Sequence, residues 1–120
     1  MASAEVPSRG EIWLVSLGSA RKGEPGKNRP AIVISADELL GGVEDELVVV
    51  VPLSSSRAPS KLRPPVPRTS GIDNESAAIP RAIRAVSRRR LLRRLGRLEP
   101  ETLAAVERTL MAVLALDASA

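Results

Sequence analysis

The chain has 120 residues, 43% of them apolar, which suits one compact domain built on a single core. Cysteine and histidine are both absent, which excludes disulfides, thiol nucleophiles, Cys or His metal ligands and the commonest general base near neutral pH. The net charge of +4 arises from 18 basic residues, 15 of them arginine, against 14 acids, and favours an anionic partner.

No run approaches the roughly 18 apolar residues of a membrane span, and "MASAEVPSRG" lacks the basic and apolar regions of a signal peptide, so a cytoplasmic protein is expected. Trp13 is the one aromatic residue. Rows of stacking aromatics are therefore unavailable for RNA, and stacking has to come from arginine planes or from Trp13 itself. Trp13 is expected in the core, with a dimer interface as the alternative.

In chain order, "EIWLVSL" (11–17) reads as a strand buried on much of both faces and stopped by Gly18. A long polar loop (18–28) leads to a second strand, "RPAIVIS" (29–35), whose Pro30 stands where a strand tolerates a missing donor. "ADELLGGVEDE" holds one helical turn at most, and "LVVVVPL" (47–53) predicts a central strand. The proline-rich 54–71 segment can be extended around Leu62 to Arg68 only as an edge strand or irregular coil. "SAAIP" and "RAIRAVS" predict two short strands kinked at Pro80. Ser87 is placed to cap a helical turn starting at Arg88, and Gly96 closes the basic segment. The last element is an amphipathic helix opened by Pro100, with Leu103, Val106, Leu110, Val113 and Leu114 on one face. Short strands at intervals of about ten residues followed by a helix suggest a small, strongly bent sheet or barrel.

Charge is concentrated late in the chain. Between Glu75 and Glu99 there is no acid, while Arg81, Arg84, Arg88, Arg89, Arg90, Arg93, Arg94 and Arg97 all fall there. Such a run is either a solvated face or a field for a polyanion, and nucleic acid is the natural candidate.

Four segments in order, "RGEIWLVSL", "GEPGKNRPAIVIS", "VVVVPLSSS" and "SAAIPRAIRAVSRRRLL", followed by the terminal helix, resemble the MazF/PemK toxins of bacterial toxin–antitoxin systems. The resemblance spans about residues 9 to 116. It implies an SH3-like β-barrel with a C-terminal helix, a homodimer, and an endoribonuclease that cuts single-stranded RNA at short sequences. It also implies a small MazE-like antitoxin that blocks the RNA groove, and no cofactor or metal. The family's Glu-x-x-Gly-x-Arg-Pro pattern is matched at its ends by Glu24 and Arg29-Pro30, with the glycine displaced by one position. Its Pro-x-Thr is Pro52-Leu53-Ser54 here, and positions that carry Arg and Asp in some members are Ile79 and Arg81.

Metal-free cleavage through the 2′-hydroxyl needs a base, an acid and a cation at phosphorus. Arg29 suits the last, since its planar fork stays charged and matches phosphate oxygens. Ser54 can hold a phosphate oxygen or the 2′-hydroxyl, and Glu24 is the candidate base. Two alternatives stand beside these roles: Arg29 and Glu24 form a surface bridge, and Ser54 caps a turn. Lys27, Arg57, Lys61, Arg81 and Arg84 are candidate RNA contacts, and the Arg88–Arg97 cluster a candidate surface for an acidic antitoxin. The competing function is a non-catalytic protein of the same fold that binds gyrase, or binds nucleic acid and antitoxin as a co-repressor. The gyrase-poisoning CcdB toxins rely on a Trp in the C-terminal tail, whereas this chain ends "LALDASA".

Overall fold

The computed structural model describes residues 5–18, 27–41 and 43–116. Among the described residues, seven strands and one α-helix make the fold: β1 (Glu11–Ser16), β2 (Asn28–Val33), β3 (Leu47–Ser54), β4 (Pro65–Val66), β5 (Ser76–Ala78), β6 (Arg84–Ser87), β7 (Leu91–Arg97) and α1 (Pro100–Val113). They form one curled sheet in the order β4-β5-β3-β2-β1-β7, with β6 also pairing β3. β3 is its hub. One edge lies on β2, while the other runs on β6 through Val50 and on β5 from Leu53. Pro52 falls at that handover, where a missing N–H interrupts neither ladder.

The unbroken apolar runs follow from burial on both faces. Alternation sends Ile12, Ile32, Val51 and Leu53 into a core shared with Val106 and Leu110 of α1. It sends Trp13, Val15, Ala31, Val33, Val48 and Val50 into a second core closed by Val86 and Leu91. Trp13 is fully buried, as expected. Its indole N–H donates to Glu11 Oε1 at 3.0 Å, and the Arg88 guanidinium stacks over the ring, 5.0 Å from its centre.

The Pro65–Val66 segment is indeed an edge strand, and the kink at Pro80 is a 3₁₀ turn over Pro80–Ala82. A 3₁₀ turn also covers Arg88–Arg90, although Ser87 makes no side-chain cap bond there. α1 is shorter than its apolar face suggests. It ends at Val113, and Leu114 is 45% exposed.

Two findings differ from the sequence reading. The arginine-rich stretch 91–97 is a strand, β7, antiparallel to β1 with two register shifts. And the basic run has counter-charges after all, brought from elsewhere in the chain. Arg94 pairs with Glu5 at 2.6 Å and Glu11 at 3.0 Å, Arg97 approaches Glu11 at 3.6 Å, and Arg89 pairs with Asp45. Arg88 is buried and donates to the carbonyls of Leu91 and Glu5 at 3.1 and 2.7 Å. Sequence distance hid these partners; the fold supplies them.

Candidate active site

β1 and β2 pair with Leu14 opposite Pro30 and Val15 opposite Arg29, which sets Arg29 near the start of β2. Ala31 lies opposite Pro52 across the β2–β3 ladder, so the same antiparallel register, carried two residues further, brings Arg29 level with Ser54. Both residues line one groove of about 520 Å³. The groove is also lined by apolar Leu14, Leu53 and Ile72 and by polar Asp73, Asn74 and Arg93.

Ser54 is buried at the end of β3. Its Oγ accepts from the Ser56 N–H at 3.3 Å and lies 3.1 Å from the Ser56 hydroxyl. The turn-capping alternative is therefore realised together with the groove position. Among the described residues nothing hydrogen-bonds or ion-pairs the Arg29 guanidinium, and the same is true of the Arg93 guanidinium and the Asp73 carboxylate. Arg94 also borders the groove but is held by Glu5 and Glu11. Its hydrogen bond to Glu11, reinforced by both carboxylate charges, lifts its pKa above the ordinary arginine value. Burial alone would push the Glu11 carboxyl up. Hydrogen bonds from the Trp13 indole, the Ser8 N–H and Arg94, with the Arg94 charge, outweigh that and hold it below the ordinary glutamate value.

The wall carrying Ile72, Asp73 and Asn74 is set by a close backbone approach. Gly71 adopts φ 108°, and a Cβ there would sit 2.3 Å from the Leu95 carbonyl oxygen. A Cβ on Gly96 would sit 1.8 Å from the Ser70 carbonyl oxygen. Two glycines thus let the turn after Ser70 press directly on β7. Gly96, read from sequence as the close of a basic segment, is a packing position.

The remaining sequence candidates separate. Glu24 lies outside the described residues. Lys27 is exposed, its carbonyl accepts from the Leu17 N–H at 3.1 Å, and it is not among the groove-lining residues. Arg57, Lys61 and Arg81 share a different groove, of about 550 Å³, with Arg63 and Leu62. Arg84 donates to the Leu17 carbonyl at 3.0 Å and anchors the exit of β1. Asp73, Asn74 and Arg93 line the groove without having been singled out in the sequence. The first two sit in a polar stretch that reads as a turn, and Arg93 was one of eight arginines with nothing local to single it out.

Residues 8–114 match the family model of PemK-like, MazF-like toxins of type II toxin–antitoxin systems. The chain belongs to the MazF/PemK toxin family. Endoribonuclease MazF9 of Mycobacterium tuberculosis is 34% identical over 109 residues, covering 85% of this chain and 91% of that protein. MazF of Deinococcus radiodurans shares the fold with a TM-score of 0.76 at 22% identity, over 92% of this chain and 98% of that one. An endoribonuclease from a mycobacterial species, solved with its cognate antitoxin, aligns with a TM-score of 0.74 at 19% identity, over 92% and 96% of the two chains. In this MazF/PemK toxin, Arg29-Pro30 and Leu53-Ser54, two of the segments that carry the resemblance, come from adjacent strands and meet in one groove. Ile79 and Arg81, where some members of the family carry Arg and Asp, border the other groove instead.

Proposed function

We propose that this toxin is a metal-independent endoribonuclease that cuts single-stranded RNA in the Arg29–Ser54 groove. The observation that carries the reading is that Arg29, whose guanidinium has no partner among the described residues, lines one groove with the Ser54 hydroxyl. The 34% identical relative named an endoribonuclease supports it.

In the proposed reaction the ribose 2′-oxygen forms a bond to the adjacent phosphorus as the bond to the 5′-oxygen breaks. The products are a 2′,3′-cyclic phosphate and a free 5′-hydroxyl. One proton leaves the 2′-oxygen and one reaches the 5′-oxygen. Arg29 donates two parallel hydrogen bonds to the non-bridging oxygens and stabilises the charge that builds on them. Ser54 orients a phosphate oxygen or the 2′-hydroxyl, and Glu24 takes the 2′ proton. Arg29, permanently charged, gives up no proton of its own.

The same reading makes the protein a cytoplasmic homodimer regulated by an acidic, MazE-like antitoxin. The D. radiodurans fold relatives include MazE–MazF complexes, which supports the partner class. No helix among the described residues is long and apolar enough to cross a membrane. The test is incubation of purified protein with long single-stranded RNA in excess chelator, followed by mapping of both new ends. Cyclic phosphate and 5′-hydroxyl termini are expected. Intact RNA at high protein concentration, or cutting that needs added magnesium, would overturn the reading.

A further inference from the structure

A chain with one aromatic residue, wholly buried, has no ring with which to stack a nucleobase. An enzyme that cuts at chosen sequences still has to hold bases, and the surface beside the Arg29–Ser54 groove offers another means. A second depression, about 600 Å³, is continuous with the groove through the shared Ser55, Ser56 and Ser76. Its walls include Pro59, Pro65 and Pro67, whose rings are rigid apolar surfaces. The β4–β5 ladder fixes Pro65, opposite Ala77, and the adjoining Val66 is opposite Ser76. The volume exceeds that of a nucleobase, and the proline rings offer apolar faces for a planar ligand to lie against.

Among the described residues, one charged acceptor stands in this depression. Glu75 lines it, and its Oε2 accepts the Arg68 N–H, which orients the carboxylate. Oε1 has no partner among the described residues. On the far side Arg57 borders both this depression and the next groove, where Lys61, Arg63 and Arg81 gather. The surface therefore runs from a cation, Arg29, through an apolar slot with a carboxylate to a cluster of cations. A nucleic-acid strand presents the complementary order of phosphate, base and phosphate.

We infer that the proline-walled depression is a base-binding subsite and that Glu75 is its specificity-determining residue, selecting guanine. The inference rests on the endoribonuclease reading. An ionised carboxylate only accepts hydrogen bonds. Guanine sets two donors, N1–H and N2–H, side by side and meets both oxygens. Uracil flanks its single N3–H with two carbonyl oxygens that repel the carboxylate. Arg57 and the cations beyond it hold the next phosphate.

The experiment cuts a random-sequence single-stranded RNA pool with the wild-type protein and with Glu75→Gln, and maps the cut sites. Glutamine keeps an acceptor for the Arg68 N–H while losing the charge and one acceptor. The wild type should enrich guanine at one fixed position near the cut, and the preference should fall about tenfold in Glu75→Gln. A second arm needs no variant: replacing that guanine with inosine, which lacks the 2-amino group, should slow wild-type cutting severalfold and leave Glu75→Gln insensitive. Cutting without guanine enrichment, an unchanged preference in Glu75→Gln, or equal use of inosine by the wild type would overturn the subsite and leave the endoribonuclease reading standing. Failure of the wild type to cut any RNA would remove both.

Discussion

Arg94 donates to Glu11 Oε2 at 3.0 Å, so a residue on the rim of the candidate groove and a carboxylate buried at the start of β1 share one ion pair. Glu11 also receives the Ser8 N–H at 2.8 Å and the Trp13 indole N–H at 3.0 Å. One carboxylate thus ties together the N-terminal segment, the core tryptophan and β7. The groove rests on a core that is partly electrostatic.

That arrangement makes stability depend on acid. The folded-state pKa of Glu11 lies below its unfolded value, so its contribution is complete above the ordinary glutamate pKa and is lost as pH falls through the lower, folded-state value. Thermal unfolding from neutral pH downward should show the wild type losing stability more steeply than Glu11→Gln. Glu11→Ala leaves the buried Trp13 N–H without its acceptor and should cost about 1–3 kcal/mol at neutral pH. Parallel slopes for wild type and Glu11→Gln would remove Glu11 as the acid-sensitive group.

Arg29→Ala should lower RNA cleavage by about a hundredfold or more while leaving the melting temperature nearly unchanged, because the guanidinium has no partner among the described residues. Arg29→Lys keeps the charge and loses the fork, and should recover only part of the rate. Ser54→Ala should reduce cleavage by about ten- to a hundredfold. Single-turnover rates at saturating protein measure all three. Wild-type rates in Arg29→Ala would exclude the proposed role.

Arg93 and Arg94 are neighbours in sequence with different duties. Arg93 is exposed and unpaired among the described residues, whereas Arg94 holds Glu5 and Glu11. Arg93→Ala should weaken RNA binding and reduce the salt dependence by about 0.7 in the log–log slope, with stability unchanged. Arg94→Ala should lower the melting temperature as well. Salt titrations of RNA affinity, paired with melting curves, distinguish the two; identical behaviour would contradict the division.

Gly96→Ala should be among the more damaging substitutions outside the groove. The new Cβ would lie 1.8 Å from the Ser70 carbonyl oxygen and 2.8 Å from its carbon, and backbone on both sides cannot swing aside as a side chain would. Overpacking of this kind costs about 1–3 kcal/mol. The strain falls on the wall that carries Asp73, so cleavage should drop even at temperatures where the variant stays folded. A melting temperature within 1 °C of the wild type would show that the two backbones can separate freely, about 0.2 kcal/mol or less for a domain of this size.

Much of the architecture is legible in the sequence. Strands β1, β2 and β3 announce themselves because burial on both faces leaves unbroken apolar runs, and Pro65 and Pro80 mark an edge and a kink through the donor they lack. β7 was not readable. "LLRRLGR" has neither clean alternation nor β-branched residues, and it becomes a strand because β1 needs a partner on its open edge. The same limit applies to the candidate site. Arg29 and Ser54 were legible through family resemblance, while Asp73 and Arg93 carry no local signal that separates a groove wall from an ordinary turn or a solvated charge.

By itself, the order of amino acids determined which segments are apolar enough to be strands, where the helix begins, and which side chains have chemistry suited to a phosphate. Those properties are set by near neighbours and by composition. Only the tertiary structure decided which arginines find partners among the described residues. Arg94 pairs with Glu5 and with Glu11, 83 residues away, and whether one cation is neutralised while the next has no partner among the described residues depends on which strands lie side by side. Charge is a property of a residue, but unpaired charge is a property of the fold.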